Sequence, residues 1–488
     1  MGLFRPEIPH KVAQNSIMEI LNHTVFEINR GLSLVKICFV GAGSAAFSMK
    51  VIKDFCLSKG LPGSSVTLMD LDRSRLDAVY SMATRYSKGV HSDLHFEKTT
   101  DRKTALAGAD FVIDTVLAGG HEQQEIVRAV SEKHGYYRGV EAVEFNMIQD
   151  YSTTFQAYYQ LKFFLDLARD MEAICPDAML IDVANPECEA GTLLTRETKI
   201  KTVGYCHGYL GYKDVARKLD LDPEEVQIQV AGFNHNIFLT RFQNSEGADL
   251  YPRVDEWIAR DSEKYWEEYR PINEFDIDLS RAAIDMYRLY GLLPVGDTVR
   301  GGSWKYHYDL KTKQYWYGDF GGPDSEIGWA RYLQRVAERT HMIFRLAQDS
   351  DTDLFRQFPP EKSEEQIVPF IESLVNDLGE RFVLDVRNES TIPSLPSDVA
   401  VEVSARVDAK GIHPEAPYRL PKALTKMALL PRLARLEMAM EAFLSGDRSL
   451  LLEILYRDPR TKSDAQAEDV LREILALPFN DEMRSHYK

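Results

Sequence analysis

Cysteine and long apolar runs are both scarce in this chain. Its 488 residues include five cysteines, Cys38, Cys56, Cys175, Cys188 and Cys206, which are irregularly spaced. An odd, irregular set is not a disulfide framework, so we expect a reducing, cytoplasmic setting that would suit a working thiolate. No uninterrupted apolar run approaches the ~20 residues of a membrane span. The N-terminal stretch also lacks the basic region and apolar core of a secretory signal.

Positive charge is also in deficit. The chain has 58 Lys and Arg residues against 75 Asp and Glu residues, a net charge of −17. Such a charge argues against nucleic acid or an anionic membrane as a partner. We therefore expect a small-molecule substrate, and an anionic one would need local positive charge. No repeats or proline-rich linkers interrupt the chain, which is long enough for two or three domains.

An apolar run followed by a glycine-rich turn opens the main part of the chain. The run LVKICFV (34–40) predicts a central parallel strand, and the turn GAGSAA (41–46) follows it. A helical pattern comes next, and then the strand SSVTLMD (64–70), which ends in Asp70. This order predicts a dinucleotide-binding unit. The alternative is a plain strand–turn–helix unit with a glycine turn.

Each residue of this unit has an expected part in holding a cofactor. Gly41 permits the tight turn, and Gly43 lets a pyrophosphate approach the backbone at a helix N-terminus. We expect Ser44 and Ala45 to belong to the same binding turn. Asp70 would hold the adenosine ribose, and its charge disfavours a 2′-phosphate, which favours NAD over NADP.

Three later strand-like runs end in side chains that can coordinate ligands. The runs AMLIDVANP, IKTVGYC and VAGFNHN lead to Asn185, Cys206, His207, Asn234 and His235. Thiolate and imidazole bind divalent transition metals, and the two amides can hydrogen-bond hydroxyls beside such a metal. The sequence therefore predicts a metal and substrate site at these strand ends. The alternative is a buried thiol and two core histidines.

The second half of the chain is dominated by helical patterns rich in Tyr, Trp and Arg. A loop between two of them, PVGDTVRGGSWKYHYDL (294–310), collects Asp297, Arg300, Lys305 and Tyr306 among glycines. Loops that gather charge and glycine between helices often face a ligand, although a solvated connector has the same composition. The segment 382–408 supplies strand patterns to the second domain.

These patterns predict an α/β fold with a doubly wound parallel sheet of the Rossmann type. A second α+β domain, mainly helical, would give an arrangement like that of lactate and malate dehydrogenases. We expect an N-terminal extension at 1–32, an NAD-binding domain at 33–206 and a substrate- and metal-binding domain at 207–488. The aromatic, Met-rich second half suggests a homodimer or higher homo-oligomer.

The motifs GAGS, VANP, GYCHG, GFNHN, GDTVR and LPSDVAVEV, in this order, resemble those of glycoside hydrolase family 4. The resemblance runs from about residue 34 to the C-terminal region and implies a glycosidase that depends on NAD and a divalent metal, usually manganese. The Cys-His-Gly form resembles that of α-glucuronidases and related uronate-cleaving enzymes. One departure is the segment 136–154, where the family carries a glycine-rich substrate loop.

The resemblance implies a reaction that departs from the usual two-carboxylate mechanism. Hydride leaves sugar C3 for NAD, and the resulting ketone acidifies the proton on C2. A base removes that proton, the glycosidic oxygen leaves C1 by elimination, water adds, and the NADH formed reduces C3 again. NAD is therefore regenerated in every turnover.

The resemblance also assigns roles to individual residues. It implies that Cys206 and His235 bind the metal. Asn185 would contact the substrate near the nicotinamide, and Asn234 would lie in the same substrate shell. His207 would be the general acid.

The resemblance specifies the base and the cationic clamp for a carboxylate less closely than it specifies the metal ligands. We expect Asp297 to remove the C2 proton, with Tyr306 as the competing candidate. A uronate also needs a cationic clamp, for which Arg300, Lys305 and Arg138 are the candidates.

The sequence thus predicts hydrolysis of α-linked uronides, α-glucuronides first. The alternative within the family is an α-galacturonidase, since the two sugars differ at one epimeric hydroxyl. The alternative outside it is an NAD-dependent dehydrogenase of a hydroxy acid or sugar acid, which would accumulate NADH.

Overall fold

The computed structural model describes residues 34–140, 157–301, 303–349 and 353–488. The predicted N-terminal extension and most of the segment that departs from the family loop lie outside these ranges. Within them, every named strand belongs to one sheet. No helix in the described ranges has the length and apolar character needed to cross a membrane.

The sheet has eleven strands in the order β3-β2-β1-β4-β5-β6-β9-β10-β7-β8, with β11 paired to β10. Their bounds are β1 Lys36–Val40, β2 Ser65–Met69, β3 His95–Thr99, β4 Phe111–Asp114, β5 Met179–Asp182, β6 Lys201–Gly204, β7 Val226–Phe233, β8 Asn236–Asn244, β9 Glu380–Arg387, β10 Ala400–Asp408 and β11 Gly411–Pro414.

The first six strands are parallel and confirm the predicted doubly wound sheet. The apolar run of β1 lies at its centre and is almost fully buried, because both faces of such a strand are covered. The polar sequence HFEKT of β3 forms the exposed edge. Strand order reverses between β1 and β4, and ligands bind at such a reversal in open α/β sheets.

The remaining strands are antiparallel and extend the same sheet. β9 joins β6 through the pair Gly204 and Asp385, and β10, β7 and β8 follow in turn. The strands expected at 382–408 thus continue the dinucleotide-binding sheet. The predicted domain boundary at residue 206 falls just after β6 and stays a prediction.

Helices connect and cover these strands. Their bounds are α1 Ala46–Leu57, α2 Arg73–Gly89, α3 Arg102–Leu106, α4 Gly120–Lys133, α5 Ala157–Ile174, α6 Glu187–Glu197, α7 Gly211–Lys218, α8 Tyr251–Arg260, α9 Ser262–Glu268, α10 Arg281–Tyr290, α11 Leu310–Tyr317, α12 Glu326–Gln348, α13 Ile367–Asn376, α14 Lys422–Leu424, α15 Leu430–Ser445, α16 Arg448–Tyr456, α17 Asp464–Leu475 and α18 Asp481–His486. Most of the helical residues follow β8, in agreement with the predicted helical second half.

Candidate functional site

A cavity of about 1060 Å³ lies at the carboxyl ends of β1 and β4, where the strand order reverses. Gly41 begins the turn above it with φ +82°, a left-handed conformation that glycine adopts without strain. A Cβ on Gly41 would lie 2.9 Å from the hydroxyl of Thr115, so the close approach of β1 and β4 also requires glycine. The predicted glycine turn therefore lines a cavity at the expected place.

The carboxylate of Asp70 orients this turn. Its Oδ2 accepts a hydrogen bond of 2.7 Å from the Gly43 N–H, and its Oδ1 accepts one of 2.8 Å from the Asp72 N–H. Asp70, Gly43 and Ser44 all line the cavity. Ala45 is buried at the start of α1 and does not line it.

A second cavity, of about 1150 Å³, adjoins the first. Residues from α1 and α12 line both cavities, namely Ala46, Phe47, Tyr332 and Arg339. His207 and Asp297 line the second cavity. Two ligands, one in each cavity, could therefore meet beside these side chains.

Three segments bring a thiol, an imidazole and a carboxylate together beside the second cavity, and of these three side chains only that of Asp297 lines it. Cys206 follows β6, His235 lies in the two-residue turn between β7 and β8, and Asp297 lies in the 3-10 segment Gly296–Arg300. Their ligand atoms all lie within 4.8 Å of one another. The structure therefore brings together the two predicted metal ligands and also adds the residue predicted as the base.

Two glycines allow this convergence. Gly296 has φ +58°, and a Cβ on it would lie 2.3 Å from the carbonyl oxygen of Gly208. A Cβ on Gly208 would contact the Sγ of Cys206 at 3.5 Å. The contact at Gly208 is an ordinary one, but Gly296 has to lack a side chain for the loop after β6 to pack directly on the segment that carries Asp297.

The donor set fits a divalent transition metal. Sulfur, imidazole nitrogen and carboxylate oxygen together suit borderline ions. Burial raises the pKa of the Cys206 thiol well above its usual value, and the nearby Glu402, Glu187 and Asp297 raise it further. A cation at the centre of this group would offset that negative charge and favour the thiolate.

Two buried glutamates hold Asn234. Its amide nitrogen donates to Glu187 Oε2 at 3.0 Å and to Glu402 Oε2 at 3.1 Å. Burial, reinforced by neighbouring carboxylates, raises the pKa of each glutamate well above its ordinary value. The orientation of Asn234 is therefore set before any substrate arrives.

Glu402 ends a row of buried acids that crosses the sheet. Asp114 pairs in register with Asp182, Asp182 with Gly204, Gly204 with Asp385, and Asp385 with Glu402. Residues in register on neighbouring strands share a face of the sheet. Burial raises the pKa of Asp114 and of Asp385 to about 7. The row therefore links the region of the first cavity to that of the second.

Arg300 is held by two carboxylates rather than facing open space. Its side chain is 1% exposed, with Nε 2.9 Å and Nη2 2.7 Å from the two oxygens of Asp324, and its Nη1 donates to Asp297. Burial raises the pKa of Asp297, but the charges of Arg300, His235 and His207 outweigh it and lower the net value. In this arrangement Arg300 anchors Asp297.

The other candidates from the same loop lie away from both cavities. Lys305 Nζ is 2.6 Å from Oδ2 of Asp285, and the Tyr306 hydroxyl donates to that same oxygen at 2.5 Å. Burial, together with the hydrogen bond to Asp285, raises the pKa of Tyr306 well above its usual value. Neither residue lines either cavity. Between the two predicted bases, only Asp297 has access to a ligand in the second cavity.

Arg138 and Asn185 each have a buried atom without a hydrogen-bond partner in the described structure. In Arg138 this atom is Nη2, while Nε donates to the Asp324 carbonyl at 3.2 Å. In Asn185, which precedes the cis peptide to Pro186, it is Oδ1. Neither side chain lines either cavity.

Comparison with family models decides what kind of protein this is. The model described as "Family 4 glycosyl hydrolase" matches residues 36–221, and that of its C-terminal domain matches residues 230–461. The chain belongs to glycosyl hydrolase family 4. The resemblance inferred from the motifs is therefore confirmed.

Relatives in family 4 match along most of the chain. An α-galactosidase of Bacillus subtilis is 25% identical over 89% of this chain and 95% of its own length. An α-galacturonidase of Lachnoclostridium phytofermentans is 26% identical over 91% of this chain and 95% of its own length. The crystal structure of a 6-phospho-α-glucosidase from gut microorganisms, in complex with NAD and Mn²⁺, superposes with a TM-score of 0.71 at 17% identity, covering 93% of this chain and 99% of that one. This likeness confirms the predicted fold.

Sequence reasoning missed several residues of this family 4 site. Glu402 lies within the motif LPSDVAVEV, where a single acid in an apolar strand could have drawn attention to it. Glu187 follows the Asn-Pro pair by one residue and offered a similar signal. The packing of Gly296 against Gly208 left no trace in the sequence, because it depends on two loops far apart in the chain.

Proposed function

We propose that this family 4 protein hydrolyses α-linked uronides with the help of NAD and a divalent metal. The observation that carries the proposal is the meeting of Cys206 and His235 with Asp297, which lines a cavity that adjoins the glycine-turn cavity. A redox-assisted glycosidase needs these two cavities to meet, because its cofactor must reach the sugar.

NAD would occupy the first cavity. Gly41 and Gly43 leave room for its pyrophosphate, and Asp70 is placed to accept hydrogen bonds from its ribose. The charge of Asp70 supports NAD over NADP. When bound, NAD would supply a reversible hydride acceptor for a sugar carbon.

Cys206 and His235 would hold the metal beside Asp297. Manganese is supported by the 6-phospho-α-glucosidase relative, which was crystallised with Mn²⁺. When bound, the metal would polarise sugar oxygens at the reacting carbons. The thiol donor would also accept softer ions such as iron, cobalt, nickel or zinc.

The protein's own side chains would move the protons. Asp297 lines the cavity as a carboxylate and is the proposed base for the C2 proton, with Arg300 fixing its orientation. His207 is exposed in the same cavity and is the proposed general acid for the leaving oxygen. Asn234, held by its two glutamates, would orient substrate hydroxyls, and Asn185 stays a predicted substrate contact although it lines neither cavity.

The identity of the sugar is the finer part of the proposal. The Cys-His-Gly form supports a uronide, α-glucuronides first. α-Galacturonides are the second candidate, because relatives in Lachnoclostridium phytofermentans and Thermoanaerobacter italicus carry the name α-galacturonidase. The cytoplasmic location and the homo-oligomer expected from the sequence stay predictions.

Release of 4-nitrophenol from the 4-nitrophenyl α-D-glucuronide and α-D-galacturonide tests the proposal. The assay contains NAD, Mn²⁺ and a thiol reductant, with the NADH absorbance band followed in parallel. We expect release from one sugar, dependent on both NAD and metal, without stoichiometric NADH. Steady NADH formation from a free uronic acid, without aglycone release, would instead show the dehydrogenase alternative.

A further inference from the structure

Positive charge is concentrated in the second cavity, against the trend of the whole chain. Seven cationic side chains line it, namely Lys50, Lys53, Lys213, Arg217, Arg331, Arg335 and Arg339. Five acidic ones do so, namely Asp214, Asp278, Asp297, Glu364 and Glu365. Burial raises the pKa of Asp278 to about 7, so part of this negative charge is suppressed near neutral pH. Cations thus outnumber acids in this lining, whereas acids outnumber cations in the whole chain.

Two helices supply most of these cations. Arg331, Arg335 and Arg339 recur at every fourth residue of α12, so they follow one face of that helix. Lys50 and Lys53 project from α1, which contacts α12. Charges on two contacting helices can act together on one anion.

Most of the cavity cations are already paired with carboxylates. Lys213 Nζ lies 2.8 Å from Glu364 and 3.2 Å from Glu224. Arg331 and Arg335 share the buried Glu274, Lys50 lies 3.5 Å from Glu365, and Arg217 lies 2.7 Å from Asp214.

The two remaining cations of the same helices lack such a partner. Among the described residues, neither Lys53 nor Arg339 forms an ion pair or a side-chain hydrogen bond, although both line the cavity. Lys53 is half-buried and Arg339 is exposed at the junction of the two cavities. A cation that forms no ion pair can donate charge-assisted hydrogen bonds to an anionic ligand.

The three residues that the sequence suggested for binding a substrate carboxylate are less well placed than Lys53 and Arg339 to bind an anion in this cavity. Arg300 is bound by Asp297 and Asp324, and Lys305 is bound by Asp285 outside the cavity lining. Arg138 does not line the cavity either.

We infer that Lys53 and Arg339 bind the carboxylate of the substrate and so determine the preference for a uronic acid over the neutral sugar. This inference rests on the proposed function and specifies how its site selects a substrate. The ligand class is a sugar carboxylate, and the surrounding cations raise its local concentration. A sugar in the second cavity must approach the cofactor at the junction of the two cavities. Because Arg339 lies at this junction, it can bind the carboxylate of that sugar.

Matched substrates measure the selection directly. 4-Nitrophenyl α-D-glucuronide and α-D-glucoside differ only in a carboxylate against a hydroxymethyl group, as do the galacturonide and galactoside. The readout is the ratio of kcat/KM for the acid to kcat/KM for the neutral sugar. We expect Lys53→Gln and Arg339→Gln each to lower this ratio by about tenfold, the scale of one charge-assisted hydrogen bond. Lys53→Arg should restore much of the ratio.

Controls separate this role from others. Arg345→Gln removes the same charge from an exposed position on α12 outside the cavity lining and should leave the ratio unchanged. Rising ionic strength should lower kcat/KM for the acid more than for the neutral sugar. Because Arg339 also lines the first cavity, NAD affinity is measured in parallel. Weaker NAD binding with an unchanged substrate ratio would overturn its assigned role.

The inference and the proposed function can fail separately. Uronide hydrolysis with unchanged ratios in both variants would overturn the inference and leave the function standing. If the wild type hydrolysed neither uronide, the proposed function would fail. Calorimetric binding of free glucuronate, compared with glucose, to the protein with NAD and Mn²⁺ would then test the inference alone. Equal binding of the two sugars, or glucuronate binding that both variants retain, would overturn it.

Discussion

The Nε2 atom of His235 lies 3.6 Å from Oδ2 of Asp297. This contact joins the turn between β7 and β8 to the 3-10 segment that carries Arg300, over sixty positions later in the chain. His235 has φ +57°, an uncommon conformation for a side-chain-bearing residue and one found more often at functional turns. The same pair lies beside Cys206, so the donor group depends on long-range packing.

Replacing Cys206 tests the thiol donor. Cys206→Ser should lose bound metal and at least about 100-fold in kcat, because a hydroxyl is a much weaker ligand than a thiolate. NAD binding should persist, since the glycine turn is untouched. Cys175→Ser, at a buried position outside the site, is the matched control and should keep its metal. Wild-type metal content in the Cys206 variant would refute the assignment.

The close packing of Gly296 on Gly208 can be tested with a methyl group. Gly296→Ala places a Cβ 2.3 Å from the Gly208 carbonyl and should displace Asp297, with a large loss of kcat. Gly247→Ala introduces the same change at φ +85° where nothing lies within 4 Å. It should cost only about 1 kcal/mol of stability and leave kcat unchanged. Equal activity in the two folded variants would show that the packing does not position the site.

The leaving group tests His207 as the general acid. An activated 4-nitrophenolate leaves without protonation, whereas an alkyl alcohol does not. His207→Gln should therefore reduce hydrolysis of a methyl α-uronide far more than that of the 4-nitrophenyl α-uronide. His341→Gln, at an exposed position on α12, serves as the control. Equal losses on the two substrates would mean that His207 does not protonate the leaving oxygen.

The row of buried acids predicts an unusual dependence of stability on pH. Burial raises the pKa of Asp385 from its ordinary value of 3.8 to about 7, so the folded state binds a proton that the unfolded state releases in this interval. The stability linked to this proton is complete below about pH 4 and is lost as the pH rises through about 7. Asp385→Asn should therefore show a smaller fall in Tm between about pH 5 and about pH 8 than the wild type.

Asp408 on β10 provides the control for that experiment. It is only partly buried, and its hydrogen bond to His413 lowers its pKa, so Asp408→Asn should not flatten the profile. Both variants are measured with a chelator present, so that metal binding does not contribute to the Tm. Parallel Tm profiles for Asp385→Asn and the wild type would contradict the assignment of a proton to this row.

The sequence predicted the parts of the molecule that depend on local patterns. The apolar run before Gly41 and the acid at Asp70 specify the dinucleotide-binding unit, because its geometry requires those residue types at those positions. Cys206 and His235 could be named because each lies two residues after the end of a strand. Their meeting depends on the pairing of β9 and β10 between β6 and β7, which the local patterns do not specify.

The parts that the sequence did not predict depend on long-range contacts. The continuation of the sheet from β6 into β9 pairs Gly204 with Asp385, far apart in the chain. The sequence showed the positive charge of Arg300, which made this residue a candidate for binding the substrate carboxylate. It did not show that Arg300 forms an ion pair with Asp324. Lys53 lay in an ordinary helical pattern, and only the structure shows that it lines the cavity.

Removal of the C2 proton by Asp297 is the central step of the proposed function, and deuterium incorporation tests it directly. The α-uronide that the protein hydrolyses is incubated with NAD and Mn²⁺ in D₂O, and the released uronic acid is examined by NMR. The wild type should release a product that carries deuterium at C2. Asp297→Asn should lose both this deuterium incorporation and its activity. Rapid release of a product that carries only protium at C2 would contradict it and indicate hydrolysis without C2 deprotonation.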